Sequence, residues 1–258
     1  MDHEPESRDA QTWPPDLDLS TAHRELQHLL LDGSDIAEFL QKLATLTAAL
    51  VSGSSCGIMM RRDHLVSTAA SSDAFALRMD EIQFGRGLGP CLEALHSGGT
   101  VQVPDLVGET RWGDFSIRAL AAGVGSTLSV ALSTEGEEPV GAINLYGPSP
   151  DYYDAGAVSR VELFAEQAAT ALTLMIRRSE TVELEKQLRE AFASRALIDQ
   201  ALGIVMAQRQ ITSVDAFAIL RESAQLNNRK VTDIAAELIT TMTGHPPLPP
   251  RPFTRRTS

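Results

Sequence analysis

Three sets of side chains in this chain are of types that do chemistry, and their spacing sorts them. The first would serve catalysis. His64 and His96 stand in no motif with a matched nucleophile and acid, and Ser55 and Ser126 lack the strained turn that exposes an attacking hydroxyl. The acidic residues near the front show no metal-ligand spacing, and Cys56 and Cys91 lie too far apart in sequence to suggest a zinc site or a disulfide framework. Two reduced, buried thiols are the plain reading, and redox sensing by Cys91 is the sharper one. No enzyme, metal or cofactor is expected. The second set is Gly85-Arg-Gly-Leu-Gly-Pro-Cys ahead of a short helix, where backbone N–H groups could cradle an anion. No Gly-Lys-Ser/Thr follows and Pro90 removes a donor, which argues against a nucleotide. The third set is Arg195, Gln200, Arg221, Asn228, Arg229 and Lys230: guanidinium forks and an ammonium for phosphate, amides for base edges. These six are the candidate nucleic-acid contacts, each weighed against a plain solvated side chain.

Charge constrains that idea. The chain of 258 residues carries a net charge of -12, which excludes a surface coated in basic groups. From Lys186 onward there are 10 basic and 6 acidic residues, a local +4, so the acidity belongs to the front. Between 180 and 245 the counts are 7 and 9, and any nucleic-acid contact must come from a local patch of modest affinity. A hydrophobic content of 43% excludes a wholly disordered protein, and no apolar run approaches the roughly 20 residues that cross a membrane. The polar, acidic start has no signal-peptide character, and a cytoplasmic location is expected.

The elements that must position these groups follow from periodicity. Residues 1–19, with Pro14 and Pro15, read as a flexible lead. Ser20 is expected to cap a helix ending at Asp32-Gly33, and Ser34 a second helix bearing Phe39, Leu43, Leu46 and Leu50. A hairpin follows around Arg62-Asp63-His64, then an amphipathic stretch from Asp73 to Phe84 and the short helix before Gly98. Strands are expected over Thr100–Pro104, Ser126–Leu132 and Val140–Tyr146, with a helix over Trp112–Ala121. A helix from near Asp154 carries Val161, Phe164, Ala168 and Leu172 on one face. No Gly or Pro interrupts 157–202, so one helix can run on through Leu184, Leu188, Ala191, Arg195, Ile198, Leu202 and Val205, which have heptad spacing. That seam favours a homodimer through a coiled coil, against a single helix burying the stripe within its own chain. Thr212 and Asp215 cap a helix closed by Asn227-Asn228, and Lys230 opens a last one stopped at Gly244. Ala201, Ala216, Ala224 and Ala235 let these helices approach closely, and Phe192 and Phe217 are placed on apolar faces, leaving no aromatic cluster for base stacking. The proline-rich tail 245–258 adds three arginines.

Several of these segments resemble known families. Ser194-Arg-Ala-Leu-Ile-Asp-Gln-Ala201, Gly203-Ile-Val-Met206, Asp215-Ala-Phe-Ala-Ile-Leu-Arg221, Asn228-Arg-Lys230 and Asp233-Ile-Ala-Ala-Glu-Leu238 resemble the ANTAR domain, a three-helix RNA-binding module of bacterial antiterminator regulators. Gly87-Leu-Gly-Pro-Cys-Leu-Glu-Ala94, Val103-Pro-Asp-Leu106 and Gly141-Ala-Ile-Asn-Leu-Tyr146 resemble the GAF domains that precede ANTAR modules in actinobacterial regulators. The resemblance implies an α+β fold: a GAF-like antiparallel sheet with flanking helices, joined by a long helix or coiled coil to a C-terminal three-helix ANTAR-like domain. The expected division is a sensor over 20–178, the joint and ANTAR domain over 179–244, and the tail. The implied function is a signal-responsive regulator that binds hairpins in nascent mRNA and controls transcription termination. A small-molecule ligand of the GAF domain is implied without being identified, since the Asn-Lys-x-x-x-Asp pattern of cyclic-nucleotide members is absent. Many ANTAR domains place Lys where this chain has Leu202, before Gly203. Two alternatives stay open: a DNA-binding regulator using the last helices, and a protein-interaction module without RNA binding.

Overall fold

The computed structural model describes residues 17–62, 65–84 and 87–247. Residues 1–16, the hairpin tip at 63–64, 85–86 of the glycine-rich loop and the tail from 248 lie outside them. The chain divides into two compact units, Met1–Arg178 and Ser179–Ser258.

The first unit opens with helices α1 (Leu19–Leu31) and α2 (Ile36–Leu50). Their caps differ from the serines expected, by two residues at α1 and one at α2: Asp18 accepts from the Thr21 N–H and Asp35 from the Glu38 N–H, at 3.0 and 2.8 Å. A carboxylate reaches the same orphan donors as a serine hydroxyl and adds favourable charge at the helix N-terminus. Within the lead expected to run to 19, Leu17 is already buried, with its N–H on the Ala49 carbonyl.

Strands β1 (Ser55–Arg62) and β2 (Leu65–Ser71) form the expected hairpin, followed by α3 (Ala74–Phe84), α4 (Pro90–Ser97) and β3 (Thr100–Val103). Next come α5 (Phe115–Ala121), β4 (Ser126–Leu132), β5 (Gly141–Gly147) and α6 (Ala155–Arg209). Helix α5 starts three residues later than expected, because Gly113 sits at φ 62° and Asp114 stands at the cap. The five strands pair antiparallel in the order β2-β1-β5-β4-β3. Period-2 alternation then gives the sheet two different faces. Ile58, Leu128, Val130, Leu132, Ile143 and Leu145 pack against α1, α2 and the start of α6. Thr127, Ser129, Asn144 and Tyr146 point the other way, toward the side that α3, α4 and α5 cover.

Helix α6 runs 55 residues without a break. Its first part contributes Val161, Phe164, Ala165, Ala168 and Leu172 to the first core. Further along the expected seam, Leu184 and Leu188 are 56% and 49% exposed, while Leu202 and Val205 pack within the second unit. Helices α7 (Ser213–Leu226) and α8 (Val231–Thr243) complete that unit, with Thr212 capping the first through the Asp215 N–H and Gly244, at φ 74°, ending the second. Ala201, Ala216, Leu220, Ala235 and Ile239 form its core with Val205, and Ala224 is buried too. Small side chains allow the end of α6 and the two short helices to close on one another, as expected. No helix among the described residues is long and apolar enough to cross a membrane.

Candidate functional sites

Four of the six candidate nucleic-acid residues come together. Arg221, Asn228, Arg229 and Lys230 line one open groove with Ala224, Gln225 and Val231, where α7 turns into α8. The local chain explains the convergence. Asn228 takes the left-handed conformation at φ 49°, which Asn tolerates better than most residues, and the Arg229 N–H returns to the Ala224 carbonyl. This reverses the chain within three residues and sets the end of α7 beside the start of α8. Lys230 is the cap of α8 and its side chain makes no cap hydrogen bond, so the start of a 13-residue helix, with Asp233 in its first turn, opens beside three cationic side chains. The guanidinium of Arg229 is also paired with Glu237 on α8, which fixes it over the groove and offsets part of its charge.

Arg195 and Gln200 do not line that groove. Both are exposed on α6, and Arg195 reaches Asp199 one turn along at 3.9 Å, the carboxylate partner that its seam position called for. The aromatic expectation is corrected: Phe192 is 67% and Phe217 41% exposed, because Ala216, Leu220 and Ala224 take the buried stripe of α7 and leave Phe217 at its margin.

A second cluster went unnoticed in the sequence. On α3, Ala76, Met79, Asp80 and Gln83 are all buried, at i, i+3, i+4 and i+7, so a carboxylate and an amide occupy core positions above the sheet. A charged residue within an apolar stripe was the signal that could have found it. The Tyr146 hydroxyl donates to Asp80 Oδ1 at 2.5 Å and the Asn144 amide donates to the same oxygen at 3.0 Å. Gln83 donates to the Tyr146 hydroxyl and accepts from the Cys91 N–H. A Cβ on Gly57 would overlap the Asp80 carboxylate, so the bare glycine admits the acid onto the sheet. Asp80 Oδ2, Asn144 Oδ1, Thr127 Oγ1 and Ser116 Oγ are buried without a hydrogen-bond partner among the described residues. Burial raises Asp80 from 3.8 to about 6, against the lowering effect of the Tyr146 and Asn144 hydrogen bonds.

Both cysteines are buried and free, as expected. Burial, reinforced by the Asp80 charge, pushes both thiols up, away from the reactive thiolate.

A GAF domain model matches residues 33–173 and an ANTAR domain model matches residues 186–239. Among solved structures, the chain is similar to GAF domains of phosphoenolpyruvate-protein phosphotransferases. The Coxiella burnetii one is 11% identical with a TM-score of 0.49, over 63% of this chain and 96% of that one. The Acinetobacter one is 11% identical with a TM-score of 0.48, over 63% and 97%. The free methionine-R-sulfoxide reductase of Neisseria meningitidis is 15% identical, with a TM-score of 0.48 over 62% and 91%. No curated protein matches the chain.

Proposed function

The chain belongs to the GAF-domain family and carries an ANTAR domain behind its sensor, and from that premise we propose that it binds hairpins in nascent mRNA and so controls transcription termination in response to a signal. The observation that carries this reading is the convergence of Arg221, Asn228, Arg229 and Lys230 on one groove beside the uncapped start of α8. Cationic forks and N–H groups hold phosphate there, and the amides meet base edges. A major-groove reader is disfavoured, since α8 itself has no basic residue and presents Asp233 and Glu237 to solvent.

The same reading makes the working form a cytoplasmic homodimer. The exposed Leu184 and Leu188 on α6 give a second copy an apolar seam to cover, and Arg195 keeps that seam loose. The sensor acts by shifting the dimer equilibrium, and each 1.4 kcal/mol of preference for one state is about tenfold in population.

The test is binding of the full chain to a labelled RNA with two adjacent short hairpins, against duplex DNA of equal length, at low and moderate salt. RNA is expected to win, and an Arg229→Ala, Lys230→Ala double variant to bind at least about tenfold more weakly, with a salt slope reduced by about two. Equal or absent binding at both salts, by a folded dimer, would sink the reading.

A further inference from the structure

We propose that α3 is a proton-controlled flap of the sensor unit: with Asp80 protonated it lies closed on the sheet and holds the start of α4, and when Asp80 ionises it lifts and lets water reach the carboxylate. The inference concerns the sensor alone and stands apart from the RNA reading.

Helix α3 is weakly held. Its buried stripe is Ala76, Met79, Asp80 and Gln83, with Phe75 and Ile82 half-buried beside it, so two of the four buried positions are polar and a third is an alanine. Helix α2, by contrast, buries Phe39, Leu40, Leu43, Leu46 and Leu50. An element with so little apolar anchorage opens at lower cost than the body of its domain. Both polar side chains are admitted by bare glycines: a Cβ on Gly57 would overlap the Asp80 carboxylate, and one on Gly89 the Gln83 amide. The backbone is thus shaped around the two polar groups of α3.

Their hydrogen bonds run in one direction. Gly89, at the start of α4, offers no cap side chain, and Gln83 Oε1 takes that role by accepting from the Cys91 N–H at 3.0 Å. Gln83 Nε2 donates to the Tyr146 hydroxyl at 2.8 Å, and that hydroxyl donates to Asp80 Oδ1. The start of α4 is thereby tied through α3 to the acid, and lifting α3 removes the cap of α4.

No cation faces the acid among the described residues. Tyr146 and Asn144 reach it from β5, Thr68 lies near it from β2, and the thiols of Cys56 on β1 and Cys91 on α4 feel its charge. Burial pushes the phenol and both thiols up, so they stay neutral. Arg78 and Glu81 of α3 and Arg118 of α5 are exposed along an open groove. Burial raises Asp73, ahead of α3, but hydrogen bonds from the Ala76 N–H, Ser55 and Ser72 outweigh it and keep that acid low. An ionised Asp80 is therefore stabilised by dipoles alone unless water enters, and β2 is the edge strand beside which water can enter when α3 lifts. Beneath α3 the acid releases its proton at a pH of about 6, and in water it would do so near 3.8. The open form gains about tenfold per pH unit between those values, about a hundredfold in all, and no more above 6.

Amide exchange of the full chain, referred at each pH to the rate of the unfolded chain and followed with and without low urea, tests this. The amides of α3 and of Cys91 are expected to exchange through an opening that urea barely affects, ahead of Leu43 and Leu46 of α2, which wait for global unfolding. That opening should grow about tenfold per pH unit from 4 to 6 and then level, and should be flat with pH in Asp80→Asn. Tyr146→Phe removes a donor that favours the anion, so it should move the levelling to higher pH, and it serves where Asp80→Asn does not fold. Exchange of α3 only together with α2, at one urea slope, would mean that there is no flap. A separate opening of α3 without a pH slope in the wild type would leave the acid dry and overturn the proton control.

Discussion

Strands β1, β4 and β5 serve both faces of the sensor sheet, yet the two faces are built from different chemistry. Toward α1, α2 and α6 they present Ile58, Leu128, Val130, Leu132, Ile143 and Leu145, all buried and apolar. Toward α3, α4 and α5 the same strands present Gly57, Thr127, Ser129, Asn144 and Tyr146, with the Asp80 carboxylate set among them. The first face gains free energy from every apolar side chain it hides. The second gives some of it back, because a carboxylate and polar atoms that lack a partner among the described residues are costly to bury. The contrast puts apolar burial on one face and a buried titratable group on the other.

The strongest blow to the apolar face is Phe164→Ala. Phe164 is fully buried on α6 and stacks on His23 with ring centroids 5.7 Å apart, so its truncation leaves a cavity and is expected to cost about 3 to 5 kcal/mol, read by urea unfolding. The loss should be the same, within about 0.5 kcal/mol, in an Asp80→Asn background, because the two residues lie on opposite faces of the sheet. A loss that changes by more than that between the two backgrounds would break the division.

Asp80→Asn probes the polar face and should have the next largest effect. The folded chain holds the Asp80 proton up to a pH of about 6, whereas the unfolded chain releases it near 3.8. The folded state therefore binds more protons between those values. The stability owed to this group is greatest below about pH 4, falls as pH rises toward 6 and then levels, by at most about 3 kcal/mol. Asp18 and Glu109, lowered by their hydrogen bonds to Thr21 and Arg111, contribute the opposite trend in acid, so the informative quantity is the wild type minus the variant. That difference should decline through pH 4 to 6. A flat difference would mean that Asp80 is ionised at ordinary cost and that the polar face is merely structural.

These two faces were unequally legible in the sequence. Alternating apolar residues in Ser126–Leu132 and helical spacing from Val161 to Leu172 marked the apolar core, because periodicity reports which side of an element is buried. The order of elements and the stretches Gly87–Ala94, Val103–Leu106 and Gly141–Tyr146 did the same for the fold. Asp80 stayed hidden because a carboxylate inside an amphipathic stretch is ordinarily solvated, and its burial depends on Gly57, 23 positions earlier, and Tyr146, 66 later. In the output unit, Arg221, Asn228, Arg229 and Lys230 were readable from residue type, and the turn at Asn228 brought them together. Phe217 was misread because its place at the margin of the stripe is decided by how closely Ala216 and Ala224 let the helices approach.

Tyr146→Phe makes the smallest and most discriminating change, since it removes one hydroxyl and keeps the ring. That hydroxyl donates to Asp80 Oδ1 and accepts from Gln83. Its hydrogen bond favours the charged carboxylate, so without it the Asp80 proton is held above a pH of about 6 and the decline in stability moves to higher pH. A hydrogen bond to a charged acceptor contributes about 1.5 to 3 kcal/mol and one to a neutral acceptor about 0.5 to 1.5. The variant should therefore lose about 1.5 kcal/mol at pH 8 and about half that at pH 4, in paired urea unfolding curves. If the loss is equal at the two pH values, the Tyr146 hydroxyl serves only the neutral acid, and the polar face holds its proton throughout that range.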